Sequence, residues 1–137
     1  MYNDEQAADF IAQFIRNQVN VKRNLPIRSS DMGIMMYLSH HQEAKAKDIS
    51  DFFVIAGATV TEMIQRLEKS GMIAIRQDEH DGRVKRIQLS DQGIRYVEET
   101  RMDYLESIQS IRQTLGDEDF ERFISCVHRV NESRAKR

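Results

Sequence analysis

The chain has 137 residues and a formal net charge of −2, with 40% hydrophobic and 31% charged residues. This length and composition predict one soluble globular domain and exclude a disordered chain. Charged residues recur too often to leave the roughly 18 uncharged apolar residues of a membrane helix, so we predict no membrane segment. The first residues are polar and acidic instead of basic and apolar, which predicts no signal peptide and a cytoplasmic location.

The single cysteine, Cys126, excludes an intrachain disulfide and a thiolate metal cluster. The four histidines do not have the spacing of a metal site, and we predict no metal or other cofactor. The sequence contains no phosphate-binding glycine loop, no nucleophile–base motif and no zinc-protease motif, which argues against an enzyme. Redox sensing by Cys126 is a minor alternative, because no basic cluster lies near it in the sequence to activate the thiol.

An amphipathic helix is predicted over residues 6–23, where apolar side chains recur at intervals of three and four. Pro26 ends it, because proline disfavours helical geometry in the residue before it. A second, shorter helix follows, with Ser30 as its N-cap and Asp31 in its first turn. This second helix ends at the histidine pair 40–41.

Two further helices, 47–53 and 57–70, are separated by a break at Ala56-Gly57 and predict a helix-turn-helix. The second of them carries apolar side chains at helical spacing on one face. These apolar residues are Val60, Met63, Ile64 and Leu67. Gly71 follows at the position where a left-handed C-cap is expected.

The period of the apolar residues then changes from helical to alternating, which predicts two strands at 72–76 and 84–89. The polar segment between them contains Asp81-Gly82, a pair typical of a hairpin turn. We therefore expect a β-hairpin directly after the helix-turn-helix.

A long helix is predicted after Ser90, which is a good N-cap, and Gly116 separates it from a last helix. At 1.5 Å per residue, a helix of about 25 residues is roughly 37 Å long, which exceeds the reach of a small helix-turn-helix core. Its distal apolar face therefore needs another surface to cover it. The terminal helices supply part of that surface, and we predict that a second copy supplies the rest. A closed monomeric bundle is the alternative.

The segment 46–90 has the order of elements found in DNA readers whose second helix enters the major groove. The outward face of this helix carries small and polar side chains that suit base edges. These residues are Ala58, Thr59, Thr61, Glu62, Gln65 and Arg66. Basic and acidic residues are equal in number over residues 42–90, so DNA binding requires these charges to be separated in space. An ordinary solvated surface helix is the alternative.

Arg83, beside Asp81, fits a wing-tip arginine that a carboxylate holds ready for the narrow, negative minor groove. A surface ion pair of little consequence is the alternative.

Residues 78–93 resemble the wing signature of MarR-type transcriptional regulators. In that signature an Asp-x-Arg pair is followed by alternating residues, a Leu-Thr/Ser pair and a nearby glycine. Here the pair is Asp81 and Arg83. Residues 59–61 and 66–71 are similar to that family's recognition helix and its exit, and the order of elements agrees over nearly the whole chain.

This resemblance implies a mainly α fold with a small β-hairpin wing, a winged helix-turn-helix with N- and C-terminal dimerisation helices. Residues 1–137 then form a single MarR-type domain, with a DNA-binding lobe over 31–90 and dimerisation helices over 5–24 and 91–134. The implied function is that of a homodimeric transcriptional regulator, more often a repressor. It binds a pseudo-palindromic operator in double-stranded DNA and responds to a small-molecule effector. A winged-helix protein-interaction module that has lost DNA binding is the alternative.

The resemblance also implies which residues meet DNA. Arg83 enters the minor groove, and Asp81 orients it. The residues along the major groove are Ala58, Thr59, Thr61, Gln65 and Arg66. The remaining predicted contacts are basic: Lys45, Lys47 and Lys85. Three positions depart from the family's usual residues, since Ala56 stands where a serine cap is common, and Glu62 and Gly82 stand where basic residues are common.

Overall fold

The computed structural model describes residues 1–19 and 27–135. Its elements, in chain order, are α1 Asp4–Val19, α2 Ser29–His40, α3 Ala46–Phe53, α4 Gly57–Lys69, β1 Ile73–Gln77, β2 Lys85–Leu89 and α5 Asp91–Ala135. The predicted fold class, mainly α with a β-hairpin, is confirmed. The predicted helix stop at Pro26 lies outside the described residues. None of the helices in the described ranges is both long enough and apolar enough to cross a membrane.

The hydrophobic core lies in the lobe formed by α2, α3, α4, the hairpin and the start of α5. Its most deeply buried side chains come from all of these elements, namely Ile34, Met35, Ile49, Val60, Leu67, Ile87 and Val97. The predicted apolar face of α4 is confirmed, because all four of its residues are buried. Each such side chain stabilises the fold by roughly 1.5–3 kcal/mol when fully buried, so this face fixes how α4 sits on the lobe.

The predicted hairpin is confirmed as an antiparallel pair in which Ile73 lies opposite Leu89 and Gln77 opposite Lys85. Ala44, in the segment before α3, adds a bridge to β2. Its N–H donates to the Ile87 carbonyl at 3.0 Å, and the Ile87 N–H donates back at 2.8 Å. The hairpin is thereby fastened to the helix-turn-helix by backbone hydrogen bonds as well as by the core.

The predicted N-cap of α2 at Ser30 is wrong. The helix begins one residue earlier, and Arg28 occupies the cap position without a side-chain hydrogen bond. Asp31 lies instead in the first turn, where its carboxylate meets the positive end of the helix. This carboxylate is buried and paired with Arg66 of α4. That partner is distant in sequence, so the local pattern around Ser30 did not indicate it.

The predicted limits of the last helices are confirmed by hydrogen bonds and backbone angles. The Gly93 N–H donates to the Ser90 hydroxyl at 3.0 Å, and that hydroxyl donates to the Gly71 carbonyl at 2.6 Å. Gly71 has the left-handed φ expected of a C-cap, and Gly116, with φ of 78°, interrupts α5. The interruption divides α5 into a proximal segment, residues 91–115, and a distal segment, residues 117–135.

In the single chain, α1 and the distal segment of α5 leave large apolar side chains exposed. These are Phe10, Ile11, Phe14, Ile15, Ile124, Val127 and Val130. The two helices touch where the rings of Phe14 and Phe123 meet edge to face, with centroids 5.8 Å apart.

At Gly93, α5 passes so close to the start of β1 that a Cβ there would overlap the Met72 carbonyl oxygen. We expect Gly93→Ala to lower the free energy of unfolding by about 1–3 kcal/mol or more, because the backbones must separate. Gly57→Ala is the matched control, since a Cβ added at that position would have nothing within 4 Å. Alanine favours helices, so this control should leave stability unchanged or raise it by up to about 1 kcal/mol. Urea denaturation measures both variants, and equal stability would contradict the close approach.

Candidate nucleic-acid interface

The outward face of α4 carries the small and polar residues predicted from the sequence. Ala58, Thr59, Thr61, Glu62 and Gln65 are all exposed. The Thr61 hydroxyl donates to the Gly57 carbonyl at 3.0 Å, which fixes its rotamer and leaves its oxygen free to accept. Ala56 occupies the N-cap position without a side-chain hydrogen bond, as its residue type predicts. Ala58, Thr59 and Thr61 have small side chains, so this face of α4 can approach another surface closely.

The sequence predicted that Arg66 projects from this face, and that prediction is wrong. Its guanidinium turns toward α2, where Nε donates to Oδ2 of Asp31 at 3.1 Å and NH2 donates to Oδ1 at 2.9 Å. Hydrogen bonding to Asp31 raises the pKa of Arg66. Its side chain is half-buried, whereas the carboxylate of Asp31 is almost fully buried. No sequence pattern indicated this pair, because its members are 35 residues apart and each suits a helix end by itself.

The base of the wing is organised by Asp78, a role that the sequence analysis missed. Its Oδ1 accepts from the N–H of His80 at 2.8 Å and of Asp81 at 3.3 Å, and its Oδ2 accepts from Nε of Arg86 at 2.9 Å. An aspartate whose side chain accepts from the N–H two residues later is typical of a turn. The signal in the sequence was therefore an aspartate at the start of the loop. The His80 N–H, then Arg86 and the Asp81 N–H, lower the pKa of Asp78.

At the tip of the wing, Asp81 holds Arg83 in the predicted arrangement. Oδ1 of Asp81 accepts from the Arg83 N–H at 3.0 Å and from its Nε at 3.3 Å. The Arg83 side chain is 93% exposed, so the carboxylate orients the guanidinium without covering it. A cation presented in this way suits a narrow groove of negative potential.

The three predicted lysines lie outside α4. Lys45 precedes α3 and is exposed, as is Lys85 at the start of β2. Lys47 is exposed on α3, where its Nζ lies 2.8 Å from Oδ2 of Asp51. That hydrogen bond raises the pKa of Lys47 and keeps it charged, but the pair is open to solvent and exchanges partners at little cost.

Many charges of the lobe are arranged as pairs instead of separate patches. The pairs are Asp31–Arg66, Glu43–Arg76, Lys47–Asp51, Asp78–Arg86 and Asp81–Arg83. In these five pairs acidic and basic groups lie side by side, so the pairs do not supply the separation of charge in space that DNA binding was predicted to need. Within the described ranges, no cluster of three or more His, Cys, Asp or Glu residues is arranged to hold a metal ion.

The MarR family model matches residues 27–85, which run from just before α2 to the first residue of β2. The matched segment carries both α4 and the wing tip.

One relative and two solved structures are similar to this chain. An uncharacterised HTH-type transcriptional regulator, YdgJ of Bacillus subtilis (strain 168), is 24% identical over 104 residues, or 76% of this chain. The match spans 63% of that relative, less than two thirds of its length. The fold is similar to that of S. aureus MepR in a complex with DNA, with a TM-score of 0.83, 23% identity and coverage of 97% of this chain and 99% of that one. It is also similar to the PcaV regulator from Streptomyces coelicolor in complex with its natural ligand, with a TM-score of 0.80, 18% identity and coverage of 95% and 92%.

The lowered pKa of Asp78 predicts a pH-dependent contribution to stability. A depressed carboxyl pKa stabilises the fold above the ordinary value of 3.8 and loses that effect as pH falls through the lower folded-state pKa. We therefore expect wild type to be more stable than Asp78→Asn at pH 7 and the difference to shrink below about pH 4. Thermal unfolding at a series of pH values measures this, with Asp9→Asn as a control at an exposed position on α1. A difference that is constant with pH would contradict an ionised Asp78 in the wing.

Proposed function

We propose that this chain is a homodimeric transcriptional regulator that binds double-stranded DNA in a sequence-specific manner. One observation carries the proposal: a small, polar, exposed face on α4 lies in the same MarR-type lobe as a wing whose Arg83 is exposed and oriented by Asp81. The S. aureus MepR structure, which has a similar fold, is a complex with DNA and supports the same use of this lobe.

The chemistry of α4 suits the major groove. Ala58 allows close approach or contact with a thymine methyl, while Thr59, Thr61 and Gln65 offer hydrogen-bond donors and acceptors to base edges. Lys45, Lys47 and Lys85 supply phosphate contacts around this face, which position the lobe on the duplex without reading its sequence. The exposed carboxylate of Glu62 suits a cytosine amino group and disfavours a phosphate.

The wing suits the minor groove. Asp78 fixes the hairpin turn, Asp81 orients the guanidinium, and Arg83 extends into solvent beyond both. An arginine held in this way loses little side-chain entropy on entering a narrow groove, because its direction is already set. The wing then contributes shape-dependent affinity beside the base contacts of α4.

A second copy covers the exposed apolar faces of α1 and the distal segment of α5. Apolar side chains in a contiguous patch mark an association surface, and two-fold pairing is the commonest closed arrangement. A cleft of about 600 Å³ between α1 and α5 adds a concave surface, lined by residues such as Phe14, Gln18, Ser110 and Phe123. Two lobes related in this way read half-sites about 34 Å apart, or one helical turn, in a pseudo-palindromic operator.

We further infer repression modulated by a small-molecule effector. Repression is the more common mode in the family that the sequence resembles, and PcaV is a similarly folded regulator that has a natural ligand. An effector changes operator affinity only if it binds one spacing of the two lobes better than another.

We expect Arg83→Ala to weaken operator binding by about 1–3 kcal/mol without changing the oligomeric state. The operator is first selected by the wild-type protein from a random pool of duplexes, and affinity is then measured over a range of salt concentrations. A regulator's affinity falls by roughly 0.9 log units per log unit of salt for each phosphate contact, which a protein-interaction module does not show. Arg95→Ala is the control, since Arg95 is exposed on α5 and outside the hairpin. Undiminished binding by Arg83→Ala would remove the wing tip from the interface, and failure of wild type to select any duplex at low salt would refute the proposed function.

The proposed dimer depends on apolar contact, so a buried charge should break it. We expect Ile11→Glu to convert the dimer to a monomer at micromolar concentration, because the carboxylate loses its water at the interface. Gln13→Glu is the matched control, as it adds the same charge on the same helix outside the apolar face. Analytical ultracentrifugation measures both. A monomeric wild type, or a dimeric Ile11→Glu variant, would contradict association through this face.

A further inference from the structure

We propose that Asp31 is a positioning residue for DNA reading, which fixes the recognition helix α4 through Arg66, and that Arg66 does not itself read DNA. This inference rests on the proposed DNA-binding function. It reassigns Arg66, a residue that the sequence places among the DNA contacts, and gives a role in DNA reading to Asp31, which the sequence places only in the first turn of α2.

The geometry of the pair is that of a two-pronged clamp. Nε and NH2 of Arg66 each donate to a different oxygen of Asp31, at 3.1 and 2.9 Å. Two parallel charge-assisted hydrogen bonds restrict direction as well as distance, which one ammonium group cannot do. The pair therefore fixes the orientation of the Arg66 side chain and, through it, the turn of α4 that carries it.

The pair links helix α2 directly to helix α4. Asp31 lies in the first turn of α2, and Arg66 lies in the last turn of α4. Each charge therefore meets the helix end of opposite partial charge. Helix α4 packs on α3 and β1, whereas α2 packs on α5 and β2. The pair thus ties the recognition helix directly to the helix that rests on α5, the element leading toward the proposed dimer surface.

The aspartate–arginine pair of the wing differs from the Asp31–Arg66 pair in its exposure to solvent. Arg83 is also bonded to an aspartate, but that pair is open to solvent, with side-chain exposures of 93% and 43%. The corresponding values for Arg66 and Asp31 are 35% and 4%. An exposed pair gives up its partner to a phosphate at little cost, whereas taking Arg66 away would leave the carboxylate of Asp31 buried and unpaired. Arg83 is therefore available to DNA, and Arg66 is committed to the fold.

The experiment uses Asp31→Asn, Arg66→Lys and the double variant in the full-length chain. Binding is measured to the duplex selected by wild type and to a scrambled duplex of the same composition, at several salt concentrations. Each single variant should weaken binding to the selected duplex by about tenfold, because base contacts along α4 are misplaced. Binding to the scrambled duplex and the salt slope should stay unchanged, since no phosphate contact is lost. The double variant should bind no more weakly than either single variant.

Asp31→Asn is decisive because it removes the clamp and leaves the Arg66 guanidinium intact for any contact with bases. Full affinity in this variant would overturn the positioning role. A reduced salt slope in a further variant, Arg66→Met, would also overturn the proposal and assign Arg66 to the phosphate contacts. All measurements are made at a temperature where circular dichroism shows each variant folded. A loss of thermal stability with an unchanged preference for the selected duplex would also overturn it, because a merely structural pair affects folding alone.

Two controls keep this result separate from the proposed function. Glu43→Gln and Arg76→Lys alter another guanidinium–carboxylate pair of the same lobe that is more exposed and lies outside α4, and they should leave affinity unchanged. Arg83→Ala reports whether the lobe binds DNA through the wing. If Arg83→Ala weakens binding while Asp31→Asn and Arg66→Lys do not, the positioning role fails and DNA binding stands. If wild type selects no duplex, the proposed function itself fails.

Discussion

The structure depends first on the burial of one face of α4 in the core of the lobe. Val60, Met63, Ile64 and Leu67 are removed from water, and this leaves the opposite face of the same helix exposed. The stabilisation comes from the apolar face, so the residues on the other face are free to be chosen for recognition. A helix packed in this way presents its polar side chains in fixed directions, and sequence-specific binding to a DNA duplex requires such fixed directions.

Charge pairs do different work in this lobe according to their exposure. Asp81 orients Arg83 at the surface, where the guanidinium keeps its hydration and can exchange one anion for another. Asp31 binds Arg66 in a far less accessible place, where separation leaves a charge without water or partner. Asp78 lies between these extremes and uses backbone N–H groups to shape the wing. The near-neutral net charge of the chain therefore says little about its ability to bind an anion.

The lobe accounts for only part of the chain, and the helices outside it leave apolar side chains exposed to solvent. Helix α1 and the distal segment of α5 expose apolar side chains that the single chain does not cover. Gly116 turns the end of α5 back so that Phe123 meets Phe14, and Arg112 lies over the ring of Phe120 across that turn. These contacts shape a scaffold whose remaining surface a second copy is proposed to cover, and the separation of two lobes would follow from it.

Local sequence patterns predicted most elements of this protein: the helix-turn-helix, the hairpin, the glycine break at 116 and, apart from Arg66, the outward face of α4. These features are local, since each depends on the spacing of apolar residues or on a turn residue within a few positions. The wing pair of Asp81 and Arg83 was predictable for the same reason. Only the tertiary structure decided the place of Arg66 and the start of α2. An ion pair with a buried carboxylate forms between residues that folding brings together, and a spacing pattern records nothing about partners 35 residues apart.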